Sequence, residues 1–206
     1  MSDTVNKDIR AKRRRDPSAV ITALPNLLTY GRIAAVPALA ACLFSDSDEA
    51  RWIALAIYVV ACITDFFDGY LARIWDQQSS LGRMLDPIAD KLLISVALLM
   101  LVANGSIYGV NIWAAIIILC REVLVSGLRE YLAELQVSVP VTQLAKWKTT
   151  LQMLAIGFLI AGTAGDKVLP HNWEIGLTGL WVAAILTLYT GYDYFRAGLS
   201  HIVEDD

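Results

Sequence analysis

The sequence predicts an all-α fold, a polytopic membrane bundle of six transmembrane helices with an N-terminal basic juxtamembrane segment. Of its 206 residues, 56 % are hydrophobic, whereas soluble domains are about 45–50 % apolar. The apolar residues form long runs, as in membrane proteins, and Lys and Arg gather at alternate ends of those runs. We expect one helical domain, residues 25–198, between an N-terminal segment, residues 1–24, and a C-terminal tail, residues 199–206.

The N-terminal segment is polar and ends in a basic arm suited to an anionic lipid surface. This basic arm comprises Arg10, Lys12, Arg13, Arg14 and Arg15. Pro25 fits the first turn of a helix that continues to about Phe44, and Pro37 is expected to kink it. Residues 39–42 imitate a lipoprotein cleavage site. Because Arg32 shortens the apolar stretch before them, we predict a transmembrane helix here and no cleavage.

Five further spans follow, the second from about Trp52 to Arg73. The 29 residues from Leu92 to Cys120 carry no formal charge; as one helix they would be about 43 Å long, against a hydrocarbon core of about 30 Å. Because residues 104–106 (Asn-Gly-Ser) favour a turn, we predict two spans here, each extending into its polar flank. The fifth span is predicted from about Thr149 to Gly165, and the sixth from about Ile175 to Phe195.

The distribution of positive charge predicts the orientation of these spans. With both termini in the cytosol, 15 of the 17 Lys and Arg residues lie on the cytosolic side, and only Arg51 and Lys167 lie outside. This asymmetry is what the positive-inside rule requires.

Four aspartates mark the candidate site. Asp65 and Asp68 lie near the cytosolic end of the second span, and Asp86 and Asp90 near the cytosolic start of the third. Spacings of three and four place each pair on one helix face. An intramembrane aspartate costs about 2.5–3.5 kcal/mol, so four together need compensation. Oxygen ligands suit two hard divalent cations, Mg²⁺ or Mn²⁺, which could clamp a displacement at phosphorus. Salt bridges with Arg and Lys at the helix ends are the alternative.

The spacing Asp65-x2-Asp68-Gly69-x2-Ala72-Arg73-x8-Gly82-x3-Asp86-x3-Asp90 resembles the signature of the CDP-alcohol phosphotransferases. This resemblance implies six transmembrane helices, a homodimer and a polar cavity open to the cytosol. It also implies that Asp65 and Asp86 bridge two metals, that Asp68 completes the first metal site and Asp90 the second, and that Asp90 is the general base.

The resemblance further implies contacts with a CDP-linked lipid. Gly69 would let the cytidine approach the backbone, Arg73 would hold the diphosphate, Ser79 would be a weaker nucleotide contact, and Gly82 would allow close packing. The roles of three polar residues of the first span stay open between lining the nucleotide pocket and satisfying helix ends; they are Asn26, Thr29 and Arg32.

Three segments resemble bacterial phosphatidylglycerophosphate synthases, a branch of this family. They are residues 25–32, 121–129 and 146–152. The resemblance implies transfer from CDP-diacylglycerol to sn-glycerol 3-phosphate, whose phosphate Arg121, Lys146 and Lys148 would bind. It also implies a multi-pass protein of the bacterial inner membrane, in contact with membrane lipids, with its active site facing the cytosol.

Two alternatives remain open at this stage. Another acceptor, such as phosphatidylglycerol or an inositol phosphate, would suit the same signature. In a different class, intramembrane carboxylates also mark ion or proton transporters. We expect no nucleic-acid partner.

Overall fold

Six long helices account for most of the described chain. The computed structural model describes residues 24–75, 80–134 and 143–204, and the only regular secondary structure in those ranges is helical. The helices are α1 Leu24–Leu43, α2 Asp48–Trp75, α3 Ser80–Ala103, α4 Ile112–Glu134, α5 Gln143–Asp166 and α6 Asn172–Glu204. The all-α prediction is therefore confirmed. The N-terminal basic arm lies outside the described residues.

The uncharged stretch from Leu92 to Cys120 contains a turn, as predicted. Helix α3 ends at Ala103, and Gly105 adopts a positive φ of 74°, a conformation that glycine reaches without steric cost. The amide of Ile107 donates to the carbonyl of Leu101 at 2.8 Å, which closes the helix end. A short 3₁₀ turn, Gly109–Asn111, then leads into α4.

Three helical segments of the described chain are long and apolar enough to cross a membrane. They are Asn26–Leu43, Gly109–Ala133 and Asn172–Arg196. The aspartates of α2 and α3 and the lysines of α5 lower the hydropathy of the other helices, although these have similar lengths. A membrane protein is thus supported, and the six-span bundle stays a prediction.

The helices pack as two groups that meet between α2 and α5. Helix α1 packs against α2 and α3, while α6 packs against α4 and α5. The interior is built from fully buried aliphatic side chains such as Leu39, Leu101 and Ile156. Many large apolar side chains instead point outward, including Leu99 and Ile185, which is expected where a bundle faces lipid.

Small residues bring α5 and α6 into close contact. A Cβ atom on Gly176 would lie 2.9 Å from Cγ of Leu159 and 3.2 Å from its backbone nitrogen. One on Gly179 would lie 3.0 Å from Cβ of Ala155. Glycine and alanine at such positions let two backbones approach, which is the usual way that helices associate in membranes.

We expect Gly176→Ala to lower the free energy of unfolding by about 1–3 kcal/mol, because the added methyl group would overlap Leu159 in a packed interface. Thermal unfolding of the purified protein in detergent measures this. Gly127→Ala is the matched control, since a Cβ atom there would meet nothing within 4 Å. Equal unfolding temperatures for the two variants would contradict the close α5–α6 contact.

Candidate active site

Two of the predicted carboxylates converge on one buried arginine. Arg32 lies on α1 and is 1 % exposed. Its Nη1 lies 2.8 Å from Oδ1 of Asp65 on α2. The same nitrogen donates to Oδ1 of Asp90 on α3. A single guanidinium therefore joins three helices and places the two carboxylates side by side.

The third carboxylate, Asp86, is held by a different residue of α1. The hydroxyl of Thr29 donates to Oδ1 of Asp86 at 2.5 Å. Asp86 lies one turn before Asp90 on α3, so both face α1. Thr29 and Asn26 are both buried. For Thr29, a structural role in holding α3 thus stands beside the predicted nucleotide role.

A hard cation fits this donor set. The described side chains do not include three or more metal-ligating groups that meet closely enough for one ion, and the side chain of Asp68 lies outside the described part. Asp65 and Asp90 nevertheless share one cationic nitrogen, so the fold already places a positive charge between them. Their oxygens are the ligands that Mg²⁺ and Mn²⁺ prefer. Asp68 follows Asp65 by one helical turn, on the same face.

A cavity of about 1360 Å³ extends from these carboxylates along the bundle. Asp65, Asp90 and Arg32 line its polar end, and Asp86 is not among its described lining residues. The cavity follows α2 back to Trp52, about 20 Å away at 1.5 Å per residue. Most of the lining between the ends is apolar, including Leu55, Val59, Ile63 and Phe158. One cavity thus has a charged end and a long apolar extension.

A basic cluster faces the same polar end. Lys148 on α5 is 2 % exposed, and its ammonium donates to Oε1 of Glu122 on α4. Arg121 reaches the same oxygen at 3.4 Å, and its Nη2 donates to Thr190 at 3.3 Å. Its Nε is buried without a hydrogen-bond partner. Two cations therefore share one carboxylate, which leaves local positive charge for an anion.

Two roles in the site were not predicted from the sequence. For Arg32 the sequence leaves two roles open, lining the nucleotide pocket or satisfying helix ends, whereas in the structure it pairs with Asp65 and Asp90. Glu122 was given no role, whereas it is the counter-ion of Lys148 and Arg121. Each had a signal, because each is a charged residue inside an otherwise apolar helix, where a partner is expected.

The structure leaves several predicted residues untested. Gly82 is buried on α3, near Asp86. Gly69 and Arg73 lie on α2 and Lys146 on α5, but their surroundings are outside the described part. Ser79 lies outside the described residues altogether.

Comparison with known proteins agrees with the family resemblance found in the sequence. The sequence profile of the CDP-alcohol phosphatidyltransferase family matches residues 22–189. Three relatives are each named CDP-diacylglycerol–glycerol-3-phosphate 3-phosphatidyltransferase. The Rickettsia bellii protein is 47 % identical, over 84 % of this chain and 94 % of its own length. The Cereibacter sphaeroides protein is 39 % identical, over 89 % and 98 %. The Salmonella choleraesuis protein is 35 % identical, over 88 % and 97 %.

We expect Arg32→Gln to lower the free energy of unfolding by about 2–3 kcal/mol in the absence of divalent ions, because two neighbouring carboxylates lose their shared cation. Mg²⁺ should recover more stability in this variant than in the wild type, where the guanidinium competes for the same oxygens. Thermal unfolding with EDTA and with MgCl₂ measures both effects. Arg196→Gln, at an exposed position of α6, is the control; the same response to Mg²⁺ in all three proteins would contradict the assignment.

Proposed function

Because the chain belongs to the CDP-alcohol phosphatidyltransferase family, we propose that it transfers the phosphatidyl group of CDP-diacylglycerol to sn-glycerol 3-phosphate. The products are phosphatidylglycerophosphate and CMP. Relatives of 35–47 % identity that carry this name support the proposal. The observation that carries it is the cavity itself, where Arg121 and Lys148 face the same space as Asp65 and Asp90.

The shape of the cavity suits the lipid donor. Its polar end supplies carboxylates and cations for the diphosphate, and its extension between α2 and α5 is lined mainly by apolar side chains. We assign the acyl chains of CDP-diacylglycerol to that extension, because apolar chains gain most where the walls are apolar. Gly69, Arg73, Ser79 and Gly82 remain the proposed contacts of the CDP group, with Asn26 and Thr29 beside them.

The basic cluster suits an acceptor that carries its own phosphate. Arg121 and Lys148, together with Lys146 as the family pattern implies, would bind the phosphate of glycerol 3-phosphate. A guanidinium matches phosphate oxygens through two parallel donors, and a lysine adds a compact charge. Glu122 holds the two described cations in place and shares them with the incoming phosphate.

The reaction is a displacement at the lipid-side phosphorus of CDP-diacylglycerol. The acceptor hydroxyl oxygen forms the new bond to this phosphorus, and the bond from phosphorus to the CMP oxygen breaks. Asp90 accepts the proton of the hydroxyl. Arg32 orients Asp90 before the substrates bind. Two divalent cations, held by Asp65, Asp68, Asp86 and Asp90, would neutralise charge on the diphosphate when bound.

We further propose how the protein lies in the membrane. Six spans place both termini and the polar end of the cavity at the cytosolic face of a bacterial inner membrane, and two copies form a homodimer. The segments apolar enough to span and the positive-charge asymmetry support the membrane orientation. Family membership favours an enzyme over the transporter alternative. Among acceptors, the basic cluster favours one with a phosphate.

We expect the purified protein to release CMP from CDP-diacylglycerol with Mg²⁺ and sn-glycerol 3-phosphate, and much more slowly with inositol phosphate or phosphatidylglycerol. Asp90→Asn should release none, because the general base is lost, while Asp46→Asn, at an exposed position outside the site, should be active. Faster release with either other acceptor would replace glycerol 3-phosphate in this proposal, and an active Asp90→Asn would reject the role of Asp90.

We expect Lys148→Ala to raise the KM for glycerol 3-phosphate about tenfold or more, equivalent to about 1.4 kcal/mol of lost binding, with a smaller change in the KM for CDP-diacylglycerol. Lys167→Ala removes an exposed lysine that pairs with Asp48 and lines neither end of the large cavity, and it should leave both constants unchanged. Initial-rate kinetics measure this. An unchanged KM for glycerol 3-phosphate in Lys148→Ala would rule out the phosphate contact.

A further inference from the structure

A second buried arginine lies at the other end of α2. Arg51, in the second turn of that helix, is 7 % exposed. Its Nη1 donates to the hydroxyl of Ser106 at 3.3 Å and to the carbonyl of Ile160 at 3.4 Å, and its Nη2 donates to Ser106 at 3.4 Å. Its Nε has no hydrogen-bond partner. Within the described part of the chain it forms no ion pair.

Helix α5 is interrupted next to the guanidinium of Arg51. Helix α5 leaves the helical conformation at Gly162, with φ 45° and ψ −128°. A Cβ atom on that glycine would lie only 3.1 Å from Cζ of Arg51. The side chain of Asn172 donates to the carbonyls of Phe158 at 2.9 Å and Gly162 at 3.1 Å, next to the break. Helix α5 therefore breaks where the guanidinium passes.

A pocket of about 440 Å³ opens in front of Arg51. It is also lined by Tyr108 and Trp173, whose rings stack with centroids 5.6 Å apart. Asp166 and Glu174 supply carboxylates to the lining. Asp166 accepts the amide of Trp173 at 3.2 Å, and Glu174 lies 3.5 Å from His171. The pocket thus combines one buried cation with two carboxylates that, among the described residues, have no Lys or Arg partner.

The surroundings of the pocket favour a lipid. Val110 and Val168, near Tyr108 and Asp166 in sequence, are among the most exposed apolar residues described. Apolar chains and a polar headgroup could therefore be accommodated side by side at this end of the bundle.

A purely structural role for Arg51 accounts for only part of these observations. The guanidinium does contact the carbonyl of Ile160 beside the break in α5. A neutral donor such as glutamine would serve that carbonyl without the cost of burying a charge that has no ion-pair partner. The hydrogen bonds of Nη1 and Nη2 are long, at 3.3–3.4 Å, so these terminal nitrogens can also donate to an anion in the pocket.

We propose that this pocket binds the headgroup of a zwitterionic phospholipid from the leaflet opposite the reaction site. The phosphodiester lies on Arg51, and the ammonium group of the headgroup lies toward Asp166 and Glu174. The two carboxylates disfavour inorganic phosphate and an anionic headgroup, because neither offers them a positive charge. Among the described residues, this pocket shares no lining residue with the large cavity. Its assignment to a leaflet rests on the proposed membrane orientation, but its occupation does not depend on the proposed reaction.

Native mass spectrometry of the full chain in detergent tests the proposal, with dihexanoyl phosphatidylethanolamine, dihexanoyl phosphatidylglycerol and inorganic phosphate as separate probes. We expect the wild type to retain one molecule of phosphatidylethanolamine per chain at this pocket. Arg51→Gln should retain it at least fivefold more weakly. Lys167→Gln is the matched control, because it removes an exposed cation that pairs with Asp48, and it should retain the lipid.

Thr163→Phe provides a second variant in which Arg51 is intact. Thr163 is exposed and lines the pocket, so a phenyl group there should fill the pocket and weaken retention by a similar factor. Equal retention of phosphatidylethanolamine and phosphatidylglycerol, competition by inorganic phosphate, or full retention by Thr163→Phe would each overturn the proposal. CMP release by the same preparations reports separately on the reaction site.

Discussion

The negative charge of Asp65 and Asp90 inside an apolar helix bundle is the constraint on which the rest of the structure depends. Carboxylates in such surroundings need a positive partner. Arg32 supplies it from α1, with one nitrogen in contact with both. That contact fixes the position of α1 against α2 and α3, and it keeps the carboxylates directed into the cavity.

The two charged groups of the cavity share one arrangement. Asp65 and Asp90 share one internal cation, Arg32, and Lys148 and Arg121 share one internal anion, Glu122. Each group therefore has an internal partner of opposite charge before any ligand arrives. In the proposed function, divalent cations would take the place of Arg32, and the acceptor phosphate would compete with Glu122 for Arg121 and Lys148. A folded and stable site can thus remain open to highly charged substrates.

The sequence was sufficient for the helices, because hydropathy and charge spacing are local properties, and the roles of the proposed site residues stay predictions. The turn at Gly105 and the separation of α3 from α4 follow from turn chemistry. The ends of the helices were less predictable, because a helix can extend beyond its apolar residues. Helix α5 begins at Gln143, whereas its apolar residues predicted a start at about Thr149. Long-range partners were not predictable from one sequence. Arg32 and Asp90 are 58 residues apart, and only the packing of α1 against α3 brings them together.

Binding of Mn²⁺ to the purified protein without substrate, followed by electron paramagnetic resonance, tests the central claim most directly. If the carboxylates of α2 and α3 form one cation site, the wild type and Asp46→Asn should bind Mn²⁺ equally. Asp65→Asn and Asp90→Asn should each bind it at least tenfold more weakly. Undiminished binding in both of these variants would contradict the account, since the carboxylates that meet at Arg32 would then not be the ligands.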